Sequence, residues 1–190
     1  QTNRRLRYVY VTNFFIFIVS TGFLRYYPIY IADHFQANII VNSITISWVA
    51  MGSLITYLCI NPLLFKQFKP KQIIVISGSA LSLSMLITSQ VTTLFSIKIL
   101  LLIDIILVTI WIPSCLSELS KIIDSQHYGK AFGQNHSIKL IANLLINLTF
   151  TQLITIDKQL PLILLSCASL IAAIMVTKER LLQTESQSSP

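Results

Sequence analysis

The sequence predicts an all-α membrane protein, a bundle of six transmembrane helices, on three observations. Hydrophobic residues make up 54% of the 190 and charged residues only 11%, where soluble domains carry about 25% charged residues. The few charges leave long uncharged gaps between them, and Lys and Arg fall almost entirely on one side of the spans those gaps imply. A water-soluble domain of this length would need far more polar residues to cover its surface, and the mean hydropathy of +0.71 points to the bilayer as solvent.

Three gaps define spans directly. Residues 35–65, 72–97 and 159–177 are uncharged over 31, 26 and 19 residues, each enough to cross about 30 Å of hydrocarbon at about 1.5 Å per residue. Three further apolar stretches are interrupted by charge: 8–32 by Arg25, 94–118 by Lys98 and Asp104, and 132–156 by Lys139. Each spans only if its charge is sheltered. The expected spans are then 8–32, 39–65, 72–90, 94–118, 132–156 and 160–177. A basic segment, 1–7, precedes them, and residues 178–190 follow as a polar tail expected to be disordered. The chain opens at Gln1 rather than Met, which reads as a piece of something longer or a trimmed chain. Arg4, Arg5 and Arg7 lie before an apolar run, but no small-residue cleavage site follows, so residue 8 onward reads as a retained helix and not a signal peptide.

Orientation follows from basic residues in short loops, which stay cytoplasmic. Arg4, Arg5, Arg7, Lys66, Lys69, Lys71, Lys121, Lys130, Lys178 and Arg180 fall on one side and Lys158 alone on the other. Six spans place both termini in the cytoplasm, in agreement with that asymmetry.

The net charge of +7 does not imply nucleic acid, because the basic residues form no continuous patch with interleaved aromatics. Cys59, Cys115 and Cys167 stand singly and define neither a disulfide framework nor a metal site. No HExxH, GxSxG, P-loop or GxGxxG is present, so neither an enzyme nor an ATP-driven pump is expected, and no cofactor. The expected partners are the lipid bilayer and a small solute.

Beyond this, the residues resemble a known family. A basic stretch, Asn61-Pro-Leu-Leu-Phe-Lys-Gln-Phe-Lys-Pro-Lys71, joins the second and third spans. Pro113, Ser120, Gly129, Gly133 and Ser137 recur between the fourth and fifth, and Gly22-Phe-Leu-Arg25-Tyr-Tyr-Pro28 lies in the first. Together these resemble the carboxy-terminal half of major facilitator superfamily transporters, most of all bacterial drug or sugar exporters. The resemblance implies half of a twelve-helix secondary-transporter fold in a bacterial inner membrane. It also implies proton-coupled transport of a small solute by alternating access, with residues 1–7 ending a central linker. The other half would be a missing amino-terminal six-helix unit or a second copy. The superfamily's loop motif maps onto Asn61, Lys66 and Lys69, but Phe65 stands where the family places an acid, so its charge relay is expected to be absent. The competing reading is a non-transporting membrane protein, or an inactive remnant, acting only through helix contacts.

The candidate site residues are the polar groups inside the spans, since a charge at mid-membrane costs on the order of 3 kcal/mol on insertion scales. Lys98 is near enough to a helix end to snorkel. Asp104 lies about 15 Å along its span, near the midplane, and Arg25 about 10 Å from the same surface, so an Arg25–Asp104 pair is expected, with Lys139 as the other possible partner. An Asp alternating between paired and unpaired states can carry a proton. In the fifth span Asn135, Lys139, Asn143, Asn147 and Thr151 recur every four residues, a polar stripe that either bonds a partner helix or lines a solute path. Gly129 and Gly133 are expected to allow a tight turn and close helix approach. Pro113 is expected to bend the fourth span.

Overall fold

The computed structural model describes the backbone of residues 2–188 and the side chains of residues 5–124 and 126–178. It contains six long helices: α1, Thr2–His34; α2, Ile39–Gln67; α3, Pro70–Gln90; α4, Leu94–Ile122; α5, Tyr128–Ile156; and α6, Leu160–Ser188. No strand occurs among the described residues. All six contain a segment long and apolar enough to cross a membrane, so the chain has the make-up of a multi-pass membrane protein.

The breaks between helices have local causes. Asn38 caps α2 by accepting from the Val41 amide at 2.9 Å, after a Gln36 whose φ of 48° turns the chain. Only Phe68 and Lys69, both extended, separate α2 from α3, and Pro70 opens α3 where its missing N–H costs nothing. Thr93 caps α4. Asp157 breaks α5 and accepts from the Gln159 amide at 2.8 Å. Near its end α2 widens into a π-helical turn, Thr56–Ile60, where the Asn61 amide donates to the Thr56 carbonyl five residues back. Pro62 explains the widening, since it cannot donate to Leu58 four residues earlier.

Helices α1, α3, α4 and α6 form the centre, with α3 packed on both α4 and α6 and α1 against α4 and α6. Helix α2 lies on α4, and α5 on α1. Half or more of the most apolar window of each central helix is buried, but only 11% of that of α2 and 17% of that of α5. Two glycines permit the closest approaches. A Cβ on Gly78 would lie 2.5 Å from the Trp111 ring, and one on Gly22 would lie 2.6 Å from the Leu165 side chain. Trp111 is fully buried and donates its indole N–H to the Ile74 carbonyl at 3.1 Å, which ties α4 to α3.

Three sequence expectations need correction. A Cβ on Gly129 or Gly133 would meet nothing within 4 Å, and neither glycine has a left-handed backbone, so they mediate no close packing. The tail expected to be disordered continues α6 as helix to Ser188; no Gly or Pro interrupts residues 178–188, and residues 189–190 lie outside the described residues. Asn61 is not a loop residue but a buried member of α2. Pro113 lies inside α4, which continues through it.

Candidate functional site

Asp104 sits near the middle of α4, ten residues from its start at Leu94, with no exposed surface. Its partners come from two other central helices. The Tyr27 hydroxyl, on α1, donates to Asp104 Oδ2 at 2.7 Å and lies 3.2 Å from Thr88 Oγ1 on α3. Thr88 in turn donates to the Ser84 carbonyl at 2.9 Å. The Ser84 hydroxyl approaches the same carboxylate, yet neither it nor Asp104 Oδ1 completes a hydrogen bond of ordinary geometry. The centre of the bundle thus holds one carboxyl group bonded to the Tyr27 hydroxyl and approached by that of Ser84, with Thr88 behind Tyr27 and two oxygens, Asp104 Oδ1 and Ser84 Oγ, still free to bond. Tyr27 also lines a cavity of about 60 Å³ between α1, α2 and α4, walled by Phe23, Pro28, Thr45 and Leu101.

The expected Arg25–Asp104 pair does not form. Arg25 and Tyr27 are two residues apart, about 200° around a helix, so when Tyr27 faces the core Arg25 must face away. Arg25 is exposed and donates through Nη1 to Asn147 Oδ1 on α5. Lys139 is no substitute: it too is exposed, on a helix that packs chiefly on α1. Among the described residues no ion pair involves Asp104, Arg25 or Lys139.

The polar stripe of α5 does not keep to one environment, since a four-residue repeat drifts around a 3.6-residue helix: Asn135 is buried, Lys139 exposed and Asn143 half-buried. Asn135 is buried and accepts from Asn13 Nδ2 on α1 at 2.7 Å. Asn143 is half-buried, with Oδ1 enclosed and unpartnered. Asn147 meets Arg25 but is exposed, as is Thr151. One turn outside Asn13, Tyr10 donates to Gln134 Oε1 at 2.9 Å. The two helices run parallel, and both the Asn13–Asn135 and Arg25–Asn147 pairs are separated by 122 residues.

At the basic end, Lys66 and Lys69 are exposed and Asn61 is buried with both amide atoms unpartnered. The acid at this end comes from α4. Glu118, near the end of α4, lies 3.9 Å from Lys71 at the start of α3 and 3.3 Å from Lys121. At the far end Lys158 pairs with Asp33 at 3.6 Å, and the Tyr26 hydroxyl donates to the Lys158 carbonyl. Lys98 is half-buried beside Trp48 and Phe95, in the groove between α2 and α4. His136 is exposed.

Sequence reading missed Tyr27, Thr88, Asn13 and Glu118. Marking charges inside spans passes over neutral hydroxyls and amides, and Glu118 fell at a predicted span end. No protein-family model matches the sequence, and no curated protein does.

Proposed function

We propose that this chain is one six-helix half of a secondary transporter of the major facilitator type, with both termini cytoplasmic and Asp104 carrying the coupling proton. The observation that carries the reading is the setting of Asp104: wholly buried in a membrane-spanning bundle, bonded to the Tyr27 hydroxyl, and without a basic partner among the described residues. An isolated carboxylate in such surroundings is very costly, so a proton must neutralise it while the site is closed. Releasing that proton requires water to reach a carboxyl group that has no exposed surface in this state, and a parting of α1, α3 and α4 would admit it. Protonation and helix movement are thereby linked, which is what coupled alternating access needs.

The open faces of α2 and α5 support a second half. Both helices are mostly unburied, and α5 exposes Lys139, Gln134 and Asn147 along a span. Such groups need protein or water beside them rather than acyl chains. A second six-helix unit, from the same protein or a second copy, would enclose a passage between the halves.

The test is transport by the complete protein in liposomes, against a panel of amino acids, sugars, organic acids and drugs, with and without an imposed pH gradient. Asp104→Asn is expected to abolish the response to the gradient. A variant still driven by pH would remove Asp104 from the coupling, and no transport of any solute would favour the second reading. That reading, a non-transporting scaffold, draws on the Asn13–Asn135 bond, which spends part of the polar stripe on helix packing.

A further inference from the structure

A groove of about 220 Å³ lies between α2 and α4, at the end of the bundle away from Lys66, Lys69 and Lys71. Thr45 and Leu101, both buried, form its floor, and Trp48, Phe95 and Leu102 form its walls. The Thr45 hydroxyl is turned back to its own helix, donating to the Val41 carbonyl at 2.8 Å, and Lys98 is the one charged side chain among those that line the groove. Phe95 and Lys98 stand one and four residues from the start of α4 at Leu94, and Trp48 nine residues from the start of α2 at Ile39. At about 1.5 Å per residue the groove therefore runs from the membrane surface to a depth of about 14 Å, close to one leaflet of a hydrocarbon layer about 30 Å thick.

Lys98 is half-buried there, and no carboxylate among the described residues pairs with it. The facing helix offers none, because residues 39–65 carry no charge at all. At about 6 Å along α4, the amine is within reach of the headgroup layer by way of its own apolar stem, and the anion that a bilayer supplies at that level is phosphate. An apolar slot one leaflet deep, with an ammonium at its mouth, has the shape and charge of an acyl chain below a phosphate. The open face of α5 differs: it exposes Lys139 and Asn147 along the span, which calls for water or protein rather than lipid.

We infer that the α2–α4 groove binds an anionic phospholipid, with one acyl chain along Trp48 and Leu102 and the phosphate paired with Lys98. This goes beyond the transporter reading and stands without it. The bound chain would rest on Thr45 and Leu101, which also wall the cavity beside Tyr27. A lipid molecule thereby bridges α2 to α4, the helix that carries Asp104, where the contact between the two helices leaves most of α2 unburied.

Trp48 reports the site directly, since it is exposed in the groove while Trp111, the other tryptophan of this chain, is fully buried. The experiment is quenching of tryptophan emission by lipids brominated on the acyl chain, with the complete protein reconstituted in phosphatidylcholine. Brominated phosphatidylglycerol is titrated against brominated phosphatidylcholine, and the difference between wild type and Trp48→Phe isolates the Trp48 signal. The phosphatidylglycerol is expected to quench Trp48 with an affinity roughly fivefold higher, the preference that one lysine near the surface confers. Lys98→Gln should remove that preference while leaving Trp48 open to quenching by both lipids, and Lys98→Arg should keep it. Equal quenching of the wild type by the two lipids would mean an ordinary lipid contact and overturn the inference, as would a preference that survives Lys98→Gln. Absence of quenching by either lipid would show the groove covered by protein, a second six-helix unit or a second copy, and would overturn it as well. None of these outcomes depends on whether any solute is transported.

Discussion

Tyr27 and Asp104 join α1 to α4 at the centre of the bundle through a 2.7 Å hydrogen bond in which the phenol donates. Both residues are almost wholly buried. Removing one partner from such a bond leaves the other desolvated and unsatisfied, which costs about 1–3 kcal/mol. Tyr27→Phe should therefore lower unfolding free energy in mixed micelles by that amount. Asp104→Asn, which can still accept from Tyr27, should cost less. Equal stability of wild type and Tyr27→Phe would show that the bond carries no weight.

Glycine substitutions should separate close helix contact from mere helix position. A Cβ at Gly78 meets the Trp111 ring at 2.5 Å, and that ring is held by its own bond to Ile74, so it cannot yield. Gly78→Ala should destabilise by about 1–3 kcal/mol, the range for overpacked interiors. Gly129→Ala and Gly133→Ala meet open space and should be neutral or stabilising by up to about 1 kcal/mol through helix propensity. Melting temperatures in detergent decide the matter: the same sign at both kinds of site would refute the packing described.

The spans were legible because hydrocarbon thickness and the rarity of charge act on every residue of a helix, so simple counting finds them. Side-chain pairing was less legible. Depth placed Arg25 and Asp104 at similar levels, but depth says nothing of azimuth, and the 200° between Arg25 and Tyr27 sends the arginine to α5 while the tyrosine takes the carboxylate. The stripe on α5 was visible as a four-residue repeat; which members it buries depends on where α1 lies, information held in Asn13 and Tyr10 on a distant segment. Gly129 and Gly133 misled because spacing alone cannot say whether another helix passes by, whereas Gly22 and Gly78, with no such pattern, carry the contacts.

Glu118 should stabilise the basic end far more than Asp33 stabilises the other. The Glu118 side chain is 10% exposed and faces Lys71 and Lys121, whereas Asp33 and Lys158 are 55% and 49% exposed. Glu118→Gln should cost about 1.5–3 kcal/mol, as expected for a hydrogen bond to a charged group in partial burial. Asp33→Asn should cost no more than about 1 kcal/mol and less still at high salt. Unfolding in mixed micelles at low and at high ionic strength tests both, and a larger loss for Asp33→Asn would reverse the ranking.

Asn13 and Asn135 should prove coupled. Each amide is buried, and a 2.7 Å bond between them joins α1 to α5. Asn13→Leu leaves Asn135 without that donor, and Asn135→Leu leaves Asn13 without that acceptor, so each single variant should lose more than its share. The double variant removes both groups and replaces the bond by apolar contact, which lipid-exposed bundles tolerate well. A double-mutant cycle should accordingly return a coupling of about 0.6 kcal/mol, and no more than about 1.7 kcal/mol, the range for hydrogen bonds between membrane helices. Strict additivity of the two single losses would mean that α5 is held on α1 by shape alone, and that the bond contributes nothing to their register.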